Sequence, residues 1–272
     1  MTLPQLTAEL LTLRSSWQKG WSGIPHIFDQ CLQRLQADQA ETQSATASLV
    51  RAGQRIAILI ENSCTDMAAN EREPAYHSRL HTGNALVSLS ALLLAQRKID
   101  GKPMGLLCAP EALMMLAMVG HDALHTGGRN AYPTELEQRS LTHVEPLLVA
   151  CGVSAPDIEA VRRLILLTEP TRVKIHHQTT QATAFDLSDL MWQATFIQEA
   201  DILASSLPEL QEQLTLELSQ EAARDNPDWS AELLTPNGRR LFLENAALFS
   251  TPAAQAMGLN DLVKAQLAAL HK

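Results

Sequence analysis

Gly120-His121-Asp122-Ala123-Leu124-His125-Thr126-Gly127-Gly128-Arg129-Asn130 places two histidines, an aspartate and a glycine pair directly behind the apolar run Leu113-Met114-Met115-Leu116-Ala117-Met118-Val119. A run that is apolar almost all round is a helix buried by its neighbours. Pro110 suits the first helical turn, so the spacing predicts a central helix from Glu111 to about His125, stopped by Gly127-Gly128. Titratable groups at the end of such a helix must be paired or bind metal, because desolvating them alone costs roughly several kcal/mol.

Two further stretches add groups of the same kind. In Pro74-Ala75-Tyr76-His77-Ser78-Arg79-Leu80-His81, the histidines are four apart and would project from one helical face ahead of the apolar segment 85–95. Asp201 stands among apolar neighbours in a helix expected from Leu187 to Ser205, with Trp192, Phe196 and Leu203 as core residues. His81, His121, Asp122 and Asp201 thus offer two imidazoles and two carboxylates from separate helices. That mixed set suits zinc, iron or manganese, and its carboxylates also suit magnesium.

Composition agrees with packed helices. Of the 272 residues 46% are hydrophobic but only 4% aromatic, Leu and Ala are abundant, and strand-like alternation is hard to find. A net charge of −9 with no concentrated Lys/Arg face argues against a nucleic-acid partner. Cys31, Cys64, Cys108 and Cys151 form no C-x-x-C pair and read as buried free thiols in a reducing cytoplasm. No secretory signal is evident at the N-terminus, and segments 86–95 and 113–119 are too short to span a bilayer. A cytoplasmic protein without membrane contact is expected, with a homodimer as the assembly to test.

Along the rest of the chain, periodicity predicts helices at 3–13 and 27–35, split by Gly20, Gly23 and Pro25. An exposed helix or connection is expected over 38–48, leading into a buried helix with Ile56 to Ile60. Thr134 and Glu137 have the spacing of a capping box, and Ser154 starts another helix. Residues 169–184, with Pro170, His176, His177 and several threonines, read as an irregular excursion over a cleft. Asn237-Gly238 reads as a turn, and Thr251-Pro252 starts a short helix closed by Gly258.

The chemistry follows from the ligand set. Two ions about 3.5–4 Å apart can hold a hydroxide between them and clamp phosphoryl oxygens for in-line attack. Asp122, beside ligand His121, can bridge both ions; His125 would face the water shell of the second. His77, one turn from His81, is placed to protonate the leaving alkoxide as general acid.

Tyr-His-x-x-x-His at Tyr76 to His81, His-Asp-x-x-His-x-Gly-x-x-Asn at His121 to Asn130, and Ala-Asp at Ala200-Asp201 together resemble the ordered signature of class I cyclic-nucleotide phosphodiesterases, within the HD superfamily of phosphohydrolases. The resemblance implies an all-α, multi-helix bundle with a binuclear metal site in a central cleft. It implies His81, His121, Asp122 and Asp201 as ligands of the first ion (zinc, iron or manganese), Asp122 as bridge to the second (magnesium or manganese), His77 as proton donor, and His125 orienting a water. The expected organisation is one helical domain over 1–272: an N-terminal packing region (1–70), a metal-site core (71–205) and C-terminal helices closing the substrate pocket (206–272).

The chain departs from that pattern at several positions. Ser78 replaces a common Asn, Gln198 a common His, and the glutamate expected after the central motif has only Glu145 as an offset candidate. The family holds a purine with a glutamine and a phenylalanine; here Ser250 falls at the glutamine position. Phe249 and Gln255 join Tyr76 and Asn130 as candidate substrate contacts, although core packing and a solvent-facing helix position account for Phe249 and Gln255 more simply. The expected substrate is a small phosphate ester, first a 3′,5′-cyclic nucleotide. A phosphomonoesterase and an HD-fold sensor that binds metal and nucleotide without turnover are the alternatives.

Overall fold

The apolar run at 113–119 lies in α5 (Ala109–Gly120), whose residues from Glu111 to Gly120 are all buried. The structure, a computed structural model, describes residues 1–35, 45–102 and 106–270. Among these there is no strand, so the fold is all-α, as composition indicates. Of the connection expected over 38–48, residues 38–44 lie outside the described residues, as does Pro103 of the loop before α5.

α4 (Arg79–Ile99) runs alongside α5 and is buried almost throughout. Arg97 of α4 donates to both carboxylate oxygens of Glu111 at 2.6 Å, and Glu111 also accepts the Cys108 N–H at the start of α5. That buried pair fixes the register of the two helices. Around them pack α1 (Leu3–Ser16), α2 (Ile24–Arg34), α3 (Ala45–Ala69) and α9 (Leu190–Ser206). α6 (Glu135–Ala150) and α7 (Ala155–Leu166) cover α5, and α8 (Pro170–Gln181) lies against α9. α10 (Pro208–Ala222) returns along α9, followed by α11 (Pro227–Leu233), α12 (Pro236–Asn245), α13 (Pro252–Ala256) and α14 (Leu259–Leu270). One connected apolar cluster takes in residues from Leu6 to Val263, Trp192 stands beside it at 4% exposure, and Phe196 and Leu203 are fully buried within it. None of the described helices is long and apolar enough to cross a membrane.

Several local expectations are corrected, among them the burial of all four cysteines: Cys31 and Cys64 are buried, but Cys151 is half-buried and Cys108, at the start of α5, is exposed. α5 ends at Gly120 rather than near His125, because Leu124 adopts a left-handed φ of 59° and the chain turns through bonds from Ala123 N to Gly120 O and from His125 N to Asp122 O. α4 starts at Arg79, so His77 precedes the helix that carries His81. Residues 170–181 are helical, since the inward-facing polar side chains find partners: His176 Nε2 meets Met191 O and Thr195 Oγ1, and His177 Nδ1 meets Ser250 Oγ at 2.7 Å. Gly238 lies inside α12, where a Cβ would collide with the Glu232 carbonyl; the glycine permits close approach and makes no turn. Thr134 stands at the N-cap of α6 in a left-handed conformation, and its side chain makes no capping bond. The start of α6 is secured instead by Asn130 Oδ1, which accepts Leu136 N–H at 2.7 Å, and by Glu135, which accepts Ala131 N–H.

Candidate metal centre and proton donor

Each side chain of the site comes from an element held for its own reasons. His81 sits in the first turn of buried α4, and Asp201 faces it from the middle of α9. His121 and Asp122 follow α5 directly, and the turn at Leu124 releases the chain just after them. Gly120 allows this approach, because a Cβ there would press on Val144 of α6 at 3.0 Å.

Four groups converge. His81 Nε2 stands 3.0 Å from Asp201 Oδ1 and 3.4 Å from Asp122 Oδ2; His121 Nε2 stands 3.2 Å from Asp122 Oδ2 and 3.4 Å from Asp201 Oδ1. His121 Nδ1 donates to Met118 O at 2.7 Å, which fixes the tautomer that leaves Nε2 as a lone pair facing the carboxylates. Both Nε2 atoms are buried at ion-pair distance from carboxylate oxygens, yet neither has a partner in hydrogen-bonding geometry. Asp122 and Asp201 keep 20% and 23% of their side chains exposed, so the cluster opens to solvent on the carboxylate side.

The electrostatics of the cluster are those of a site short of cationic charge. Burial disfavours the imidazolium of His81, but Asp122 and Asp201 outweigh it and push the group up to about 9. His121 is raised well above its ordinary value against the same desolvation, through the same two aspartates. Asp122 and Asp201 are both held well below the carboxylate range, burial being overcome first by the charge of His121. Two carboxylates facing two orphaned imidazole nitrogens form a donor set that a divalent ion satisfies in place of protons. These residues therefore fit the metal that the sequence motifs imply.

A second trio borders the first. His77 Nδ1 contacts Glu221 Oε1, while Glu221 Oε2 accepts the backbone N–H groups of Tyr76 at 3.0 Å and His77 at 3.1 Å. Burial opposes the charge on Glu221, but His77 holds it down to about 2. The His77 ring lies 4.0 Å from the His125 ring and 5.6 Å from that of His81. Gly127 N–H donates to His125 Nδ1 at 3.0 Å, so the neutral ring carries its proton on Nε2; burial, then His77, pushes His125 down to about 4. Gly127 is obligatory here, with φ of 77° and the Glu221 Cγ within 2.9 Å of where a Cβ would stand.

The remaining residues singled out in the sequence have other partners. Tyr76 packs 5.0 Å from the His81 ring with its hydroxyl on Ser205 Oγ, and burial raises its phenol above the ordinary range. Asn130 uses its oxygen on Leu136 N and its amide on Glu137. Phe249 belongs to the apolar core, and Gln255 is exposed, with its amide on Ser250 O at 3.2 Å. Glu145 pairs instead with Arg162 at 2.9 Å.

Two acidic residues near the site were missed from sequence. Glu221 repeats at helical spacing with buried Leu210 and Leu214 of α10, and a carboxylate on that apolar stripe was a legible signal. Glu137, buried in the first turn of α6, is raised by burial and also feels Asp122 and Glu169. Its sole sequence mark was the capping-box spacing, which pointed to a different role.

No family model matches this chain, and no curated protein matches it in sequence. Among solved structures, it is similar to the phosphodiesterase domain of the RhoPDE fusion protein from the choanoflagellate Salpingoeca rosetta. The TM-score is 0.59 at 14% identity, over 100% of this chain and 91% of that one. At that identity the likeness concerns the fold: this all-helical chain shares the architecture of a phosphodiesterase domain.

Proposed function

We propose that this chain is a divalent-metal-dependent phosphohydrolase that cleaves a phosphodiester, with a 3′,5′-cyclic nucleotide as the first substrate to test. The observation that supports this most is the pair of buried, unpartnered Nε2 atoms of His81 and His121 facing Asp122 and Asp201. The phosphodiesterase-like fold is consistent with it.

In this reading His81, His121, Asp122 and Asp201 would hold the first ion, and Asp122 would also serve a second. Bound there, divalent ions would polarise the phosphoryl group and acidify a water for in-line attack. His77 acts as general acid: with Nδ1 on Glu221, its Nε2 is free to carry a proton to the leaving oxygen. His125, its Nδ1 occupied by Gly127, donates from Nε2 to orient a water in the cleft. The core position of Phe249 and the exposure of Gln255 leave the purine-holding pair of the resembling family without an equivalent here. Base selectivity should accordingly be weak.

The test is metal analysis of purified protein, then assays with cyclic AMP, cyclic GMP, bis(p-nitrophenyl) phosphate and p-nitrophenyl phosphate under Mn²⁺ or Mg²⁺. Turnover of the diesters supports the proposal. Turnover confined to the monoester would make it a phosphomonoesterase, and tight metal without any turnover a sensor.

A further inference from the structure

We propose that His77, His125 and Glu221 form an additional cation site, separate from the His81–His121–Asp122–Asp201 cluster, that takes zinc and disables His77 when filled. One donor atom from each of the three lies within 4.8 Å of the others. They come from three different elements: the segment before α4, the turn after α5, and the last turns of α10. Two imidazoles and one carboxylate with an open fourth position is the donor pattern of accessible zinc sites, at about 2.0–2.2 Å per ligand. Donors around such an ion stand about 3.4 Å apart, so filling the site asks His77 Nδ1 and Glu221 Oε1, now in direct contact, to move apart around the ion. His125 and Glu221 are buried, whereas His77 keeps 23% of its side chain exposed, which leaves an entry path and room for a water as fourth ligand.

The chemistry of the donors selects the ion. Magnesium and calcium favour shells of oxygen, while imidazole nitrogens beside a single carboxylate favour zinc. On binding, the ion replaces the proton shared by His77 and Glu221, which leaves to solvent. His125 ligates either through Nδ1, giving up its bond from Gly127 N–H, or through Nε2 after its proton has moved to Nδ1, which ends that bond as well. The site itself stands on the geometry alone; the loss of activity on filling rests on His77 being the proton donor of the proposed reaction.

The experiment uses the full chain equilibrated with buffered free Zn²⁺, with bound zinc counted by elemental analysis and turnover read in parallel. Wild type should bind one more zinc per chain than Glu221→Gln or His125→Gln, each checked for a native circular-dichroism spectrum and melting curve. Turnover should fall at least tenfold as that equivalent fills. Asp201→Ala should keep this one zinc while losing the metal of the other cluster. Equal stoichiometry in wild type and both trio variants overturns the inference, as does an Asp201→Ala protein that binds none. If instead Asp201→Ala binds as much as wild type while the trio variants lose one equivalent, the trio site stands and the metal centre of the proposed function fails.

Discussion

The carboxylate of Glu221 grips His77 twice, with one oxygen on the ring Nδ1 and the other on the backbone N–H, which it shares with that of Tyr76. This grip holds His77 off the helix that carries His81 and sets its ring 4.0 Å from His125. A side chain held this way has a defined tautomer and a fixed ring position.

Under the proposed function, the effect of removing His77 should depend on the leaving group. His77→Ala is expected to lower turnover by about 10²–10⁴-fold on diesters with an alkoxide leaving group, and far less on bis(p-nitrophenyl) phosphate, whose leaving group needs no proton. Glu221→Gln should show the same leaving-group dependence with a smaller loss, at least about tenfold on the alkoxide substrates. Equal losses on both substrate types would assign His77 a structural role only.

Metal uptake should stabilise the fold through the His81 cluster. With Mn²⁺ as the only added ion at about 100 times its dissociation constant, unfolding free energy should rise by about 2.7 kcal/mol. Asp122→Ala and Asp201→Ala should each abolish that gain and the bound Mn²⁺ together. Calorimetry with and without chelator reads the first effect, elemental analysis the second.

The buried His177 makes stability acid-sensitive away from the His81–His121–Asp122–Asp201 cluster. Burial, then His176, pushes His177 down to about 4, below its unfolded value of about 6.5, so the unfolded chain binds more protons between those limits. Stability from this group is complete above about pH 6.5 and is lost as pH falls toward 4, by roughly 3 kcal/mol. In His177→Gln, urea midpoints measured across that window should fall less steeply than in wild type; identical slopes would exclude His177 as the cause.

Gly238→Ala should destabilise α12 by about 1–3 kcal/mol, because its Cβ meets the fixed Glu232 carbonyl rather than a movable side chain. At an ordinary exposed helical glycine the same change would add stability, since alanine is the better helix former. A higher melting temperature in the variant would show that the 232–238 turn gives way freely.

Much of this protein is written in local sequence. The run 113–119 is apolar all round, which requires a central buried helix whatever surrounds it, and Pro110, Ser154 and Thr251-Pro252 mark helix starts through backbone chemistry that needs no tertiary partner. The residue types at His81, His121, Asp122 and Asp201 and the order of their motifs named the candidate donors before any fold was in hand. Tertiary structure decided how they meet and what accompanies them. His77 and His125 left their expected helices because Glu221 and Gly127, distant or sterically special partners, hold them in bonds that helical geometry could not supply. The polar stretch 170–181 became a helix because α9 and Ser250 satisfied its histidines. Glu221, at a sequence separation of 144 residues from His77, entered the site through the packing of α10. Periodicity and capping act over a few residues and are legible in the chain itself; a buried polar group is settled by whichever partner the folded chain brings within reach.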